Sequence, residues 1–222
     1  MAFPFTYRRY VKYAIHVPSV CQRGSAMDGV RSRRREQTRR ALLREGRRLF
    51  TERGYGAVGL AEIVAAADVT KGALYHHFES KGALFREVLR EVQDEVAARV
   101  AAAADAEADP WDRLLAGCRA FLAASTAPDV QRVMLVDGPA VLGWTEWRAM
   151  DEAASARHLT DALTGLMELG TIAPRPVEPL ARLLSGAMNE AALWLAGSAR
   201  RDRDLDDAWD ALARMLEAFR AR

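Results

Sequence analysis

Two short helical periods, joined by a break too tight for a loop, constrain this chain more than any other feature. From Ile63 to Phe78 the sequence reads Ile-Val-Ala-Ala-Ala-Asp-Val-Thr-Lys-Gly-Ala-Leu-Tyr-His-His-Phe. Small side chains at Ala65 and Ala66 let two helices cross closely over a short turn. Ile63, Val69, Leu74 and Phe78 have the spacing to form the small core that fixes their angle. The pattern predicts a short helix over 60–67, a break at Asp68-Val69, and a third helix through Phe78 with Thr70 as its N-cap. With the apolar residues inward, Gly72 and His76 face outward, Ala73 and Tyr75 lie on the flanks, and Lys71 stands at the leading end. An ordinary pair of core helices, with Tyr75 and the histidines packed or solvated, would carry the same periodicity.

The flanking sequence extends the helical reading. From Thr38, Ala41, Leu42, Leu43, Leu49 and Phe50 supply an apolar face, and Gly54 stands where a left-handed cap is wanted. Glu79 and Ser80 precede a fourth helix that opens at about Lys81 and runs past Val100. Breaks at Asp109-Pro110, Pro128, Gly138-Pro139, 170–179 and Gly197-Ser198 leave expected helices near 111–126, 129–136, 144–169, 178–197 and 204–221. Nothing reads as a strand ladder or an internal repeat. The expected fold class is all-α: a helix-turn-helix domain over 31–85 and a larger helical domain over 86–222. Residues 1–30, whose first part mixes aromatic, basic and proline residues, read as an extension outside both.

Charge gives this layout a direction. Residues 1–81 carry 16 basic and 7 acidic side chains, whereas 82–222 carry 16 basic and 23 acidic. A basic N-terminal third on an acidic remainder is the asymmetry expected when one end meets a polyanion. Arg31, Arg33, Arg34, Arg35, Arg39 and Arg40 precede or open the first helix, as an arm that follows phosphates or as a solvated leader. No apolar run is long enough to cross a bilayer, and no secretory signal is present. Cys21 and Cys118 form no metal or redox motif, which suits a reducing, cytoplasmic compartment. No catalytic triad, paired-carboxylate motif, phosphate loop or metal spacing argues for an enzyme, and no cofactor is expected.

The outward residues of the third helix have chemistry suited to a DNA groove. Lys71 can donate to guanine O6 and N7, Ala73 can touch a thymine methyl, and Gly72 permits close backbone approach. Thr70, Tyr75, His77 and the helix start at Lys81 can meet phosphate, and His76 shares the outer face. His76 and His77 point to different sides of a helix and make a poor metal pair.

At these residues the chain resembles the TetR/AcrR family of bacterial regulators. Phe50-Thr51-Glu52-Arg53-Gly54-Tyr55, then Ile63, Ala66, Val69 through Phe78, and Lys81-Gly82-Ala83-Leu84-Phe85 match the family's DNA-binding domain over about fifty residues. The resemblance implies a homodimer on a palindromic double-stranded operator, usually a repressor, released when the C-terminal domain takes up a small-molecule effector. Two positions depart from the family's pattern. Asp68 replaces the usual turn glycine, and Val58-Gly59 replace hydroxyl residues, so a left-handed aspartate and a glycine N-cap are expected.

The second domain offers broader candidates. Phe121, Trp144, Trp147, Met150, Leu114, Met134 and Leu166 could line a cavity, with His158, Asn189 and Asp137 as polar contacts. Each is also a plausible core or surface residue. Two apolar stripes, Leu180 to Leu195 and Leu205 to Phe219, suit a helix pair. The resemblance assigns that pair to a four-helix dimer interface. Two readings stay open: a ligand-responsive repressor, and an architectural DNA-binding protein of the same fold with no effector. A closed core would favour the second.

Overall fold

The computed structural model describes residues 23–221. Helices follow one another throughout: α1 Arg23–Arg53, α2 Leu60–Ala66, α3 Lys71–His77, α4 Lys81–Asp105, α5 Pro110–Ser125 and α6 Pro128–Gln131. After a π-helical turn, Arg132–Asp137, come α7 Gly138–Leu142 and α8 Trp144–Asp151. A second π-helical turn, Glu152–Ala156, leads into α9 Arg157–Glu168, then α10 Val177–Ala196 and α11 Arg201–Glu217. The sole β-type pairing among the described residues is an isolated bridge between Ile172 and Arg220.

The chain divides into compact units over 1–37 and 38–222, and every site below lies in the second. The expected boundary at 85/86 falls inside α4, which is continuous. Residues 1–22 of the expected extension lie outside the described residues, and Arg23 to Val30 already belong to α1. The expected start at Thr38 is therefore late; arginine is a good helix former, and a run of it need not end a helix.

The caps explain why the breaks fall where they do. Gly54 ends α1 at φ +81°, the left-handed geometry that favours glycine. Gly59 opens α2 with its N–H on Glu62 Oε1 at 3.0 Å. The hydroxyls of Thr70 and Ser80 accept from the backbone N–H of Ala73 at 3.1 Å and Ala83 at 3.0 Å, starting α3 and α4. Asp109 accepts from Trp111 N at 2.8 Å and Asp112 N at 3.2 Å, with Pro110 in the first turn, where no N–H is needed.

Two expectations about the middle of the chain need correction. Gly138-Pro139 is no break: it starts α7, and the chain turns instead at Gly143, φ +81°. Gly138 is there for contact, since a Cβ on it would lie 2.8 Å from Trp147 Cδ1. The expected continuous α-helix over 144–169 contains a π-helical turn after Asp151, and π-turns often mark functional positions.

The core runs unbroken from Leu42, Leu43 and Phe50 through α4 to Phe121, Leu163 and Leu184. Phe50, Tyr55 and Phe85 form an aromatic cluster, with ring centroids 5.1–5.7 Å apart. Leu212 and Leu216, expected at a subunit interface, are only 6% and 0% exposed and pack inside one chain. The apolar residues left outward on the last two long helices are Leu183, Trp194 and Met215.

Candidate nucleic-acid interface and internal cavity

α2 and α3 meet over the turn that the sequence required. Asp68 carries φ +52° and is the one non-glycine residue with positive φ among those described. Aspartate tolerates that region better than most residues, which accounts for its standing in for glycine there. Ile63, Leu74 and Phe78 are buried and Val69 half-buried, so α3 is anchored by one face. Its other face presents Lys71, Gly72, Tyr75 and His76 to solvent, with Ala73 and His77 half-buried beside them. Lys71 Nζ lies 5.9 Å from the Tyr75 ring centroid, and the His76 and His77 rings meet edge to face at 5.6 Å. Thr70 is exposed at the helix start. The result is a short outward face of two helical turns with one cation, Lys71, at its leading end.

Lys81 is placed differently from the expectation of a phosphate contact. Its ammonium donates to the carbonyls of Tyr55 and Val58, both at 2.8 Å, and sits 3.9 Å from the Tyr55 ring centroid. From the other side Arg53 donates to Ala57 O at 2.9 Å and pairs with Glu62. Two cations thus clasp the loop between α1 and α2, and the lysine's work is largely internal.

The helix-turn-helix is joined to the rest by polar contacts at one end of α1. Tyr55 N–H donates to Asp137 Oδ2 at 2.7 Å, and Arg132 donates to Glu52 O at 3.1 Å. Asp137, considered from sequence as a ligand contact, is therefore a backbone anchor. Arg47 pairs with Glu95 at 2.7 Å and Asp129 at 3.3 Å, while Arg39 pairs with Glu87.

A cavity of about 310 Å³ opens between α4, α5, α9 and α10, with the last residue of α8 on its wall. Its apolar wall includes Val100, Leu114, Phe121, Leu159 and Met188, with Cys118 among them. Burial pushes the Cys118 thiol up to about 12, so it behaves as a small apolar group. Asp151 and Ser185 bring buried polarity, and Asp105, Arg113, His158 and Asp161 are its exposed lining residues.

Of the six ligand candidates, Phe121 and His158 line this cavity. Trp144, Trp147 and Met150 do not. Trp147 is fully buried, with its indole N–H on Met134 O at 2.7 Å, and Trp144, 60% exposed, meets it in a tilted ring contact at 5.0 Å. Met150 is half-buried against the core, and Asn189 reaches the cavity only through Asp151, donating to its Oδ2 at 3.1 Å. Met134 and Leu166 are likewise core. The sequence reading named the tryptophans and missed Asp151. The available signal was periodicity: Asp151 follows Trp147 by four residues and shares its buried face.

Comparison with known proteins agrees with both halves. Residues 42–88 match the model described as bacterial regulatory proteins, tetR family, and 111–219 match a tetracyclin repressor-like C-terminal domain. A TetR-family transcriptional regulator from Pectobacterium atrosepticum is 31% identical, with a TM-score of 0.75 over 85% of this chain and 97% of that one. RolR in complex with resorcinol shares the fold at 20% identity and TM-score 0.65, over 83% of this chain and 89% of that one. The transcriptional repressor DhaR of Mycobacterium sp. (strain GP1) is 45% identical over 56 residues, 25% of this chain and only 28% of its own length. On the full-length structural match and the two domain matches, the chain belongs to the TetR family of bacterial regulatory proteins.

Proposed function

We propose that this protein is a dimeric operator-binding repressor that a small molecule, taken into the cavity behind α5, releases from DNA. The observation that carries the DNA half is the outward face of α3, where Lys71 leads Gly72, Ala73, Tyr75 and His76 on a helix of a width that enters a major groove. Thr70 and His77 stand at its edges for phosphate. The 310 Å³ cavity favours the effector-responsive reading over the architectural one, because it lies in the size range of small-molecule sites. The repressor DhaR supports the sign of regulation, and resorcinol on RolR supports a compact, mostly apolar effector.

One helix-turn-helix makes few base contacts, so specificity calls for two half-sites about one helical turn apart, roughly 34 Å. The second copy would dock on the outward stripe of Leu183 and Trp194 on α10 and Met215 on α11, because Leu212 and Leu216 are already buried. α4 supplies the physical link between effector and DNA. Its start holds the Lys81 clasp beside α3, and its end, Val100 to Asp105, walls the cavity. A ligand that displaces this wall tilts one rigid helix, and binding free energies then couple reciprocally. Enrichment of random duplex DNA on the purified protein tests the reading. An inverted repeat bound by two chains is the expected product, and recovery of no preferred sequence would overturn it.

A further inference from the structure

We infer that the effector presents an N–H or O–H donor to Asp151 on an otherwise apolar body, and that carboxylate-bearing molecules are excluded. This rests on the proposed effector role of the cavity and adds the chemistry that the site selects. Asp151 is 1% exposed and lines the cavity. One of its oxygens, Oδ2, accepts from Asn189 at 3.1 Å and lies 3.4 Å from an Arg148 nitrogen. The other, Oδ1, is buried with no hydrogen-bond partner, and so is Asn189 Oδ1 behind it. Buried acceptors are nearly always paired, so an unpaired oxygen on a residue that lines the cavity marks where a donor belongs.

The surroundings narrow the choice. Val100, Leu114, Phe121, Leu159 and Met188 make most of the wall apolar and Ser185 is the one other buried polar group, so most of the ligand is apolar. Among the exposed lining residues, Asp105 and Asp161 face one arginine, Arg113, which already pairs with Asp105. With Asp151 inside, the walls hold more acid than base and repel an anion. Burial raises the Asp151 carboxyl above its ordinary range, against the opposing pull of Asn189 and Arg148. A neutral hydroxyl and a protonated amine are both acceptable partners to a group so poised, while a second carboxylate is not.

A matched set of naphthalene probes, titrated calorimetrically into the full chain, tests this: naphthol, naphthylmethylamine, naphthyl methyl ether and naphthoate. Naphthol and the amine should bind the parent about tenfold or more tighter than the ether, and naphthoate weakest. In Asp151→Asn the amide oxygen can still accept from Asn189 while an N–H replaces Oδ1. The preference should then collapse or reverse toward the ether. Ala162→Leu, which narrows the cavity, should weaken all four probes together. Equal binding of naphthol and ether to the parent, or an unchanged ratio in Asp151→Asn, overturns the donor rule while Ala162→Leu still reports the cavity. Should Asp151→Asn fail to fold, the parent's own probe ratio decides. Failure of every probe to bind, or indifference to Ala162→Leu, would instead sink the cavity as the effector site.

Discussion

Lys81→Met separates a structural clasp from a DNA contact. Methionine keeps an unbranched apolar stem against Tyr55 and removes only the ammonium. Two charge-assisted hydrogen bonds of 2.8 Å, to Tyr55 O and Val58 O, are lost with it. Such bonds are worth about 1.5–3 kcal/mol each when well shielded, and half-burial of Lys81 roughly halves that. The cation over the Tyr55 ring at 3.9 Å adds about 0.5–1 kcal/mol. The expected loss is therefore about 2–4 kcal/mol, a fall in Tm of about 4–16 °C for a chain of this size. Differential scanning calorimetry reads the stability. Operator titrations at several salt concentrations, well below the lowered Tm, read the DNA side. The slope of log affinity against log salt should match the parent's, because no phosphate contact has been removed. An unchanged Tm with a slope smaller by about one would refute the clasp and return Lys81 to the phosphate backbone.

Gly138→Ala should cost about 1–3 kcal/mol in urea unfolding, since the new Cβ meets Trp147 Cδ1 at 2.8 Å and Val133 O at 3.2 Å in a closed core; an unchanged midpoint would contradict that packing. Leu183→Asp should give a folded monomer by sedimentation and circular dichroism, because Leu183 is 73% exposed in the single chain. Leu212→Asp should instead lose the fold through a buried, unpaired carboxylate; a folded monomer there and a dimer with Leu183→Asp would reverse the assigned face. Cys118 should resist iodoacetamide in the native protein from pH 7 to 9, because a thiol pushed up to about 12 is on the order of 0.01% thiolate at pH 8 and has no access. Peptide mapping should show labelling once urea exposes it; rapid labelling of native Cys118 would contradict its burial.

The all-α class and the helix-turn-helix were legible because their signals are local. Caps at Thr70 and Ser80, the turn at Asp68 and the apolar spacing of Ile63, Leu74 and Phe78 each act within a few residues. Gly138-Pro139 misled because proline marks a helix start as readily as a break, and the glycine's reason is a tryptophan nine residues away. The cavity was not legible: its walls come from five helices, and Trp144 and Trp147 differ in burial though three residues apart. Lys81 looked like a phosphate ligand until the carbonyls of Tyr55 and Val58, more than twenty residues earlier, folded onto it. Stripes at helical spacing likewise do not say whether a face packs within one chain or against another, which is why Leu212 of the expected interface is core while Leu183 stays outward.

The central claim is that α3 reads bases through Lys71, and a per-position affinity profile of the selected operator tests it most directly. Every single-base variant would be measured against the parent and Lys71→Ala at one fixed salt concentration. Lys71→Ala should lose preference at one position in each half-site, about 1–3 kcal/mol there, and keep the parent's profile elsewhere. A uniform weakening at all positions, or a profile indistinguishable from the parent's, would contradict the assignment of α3 to the groove.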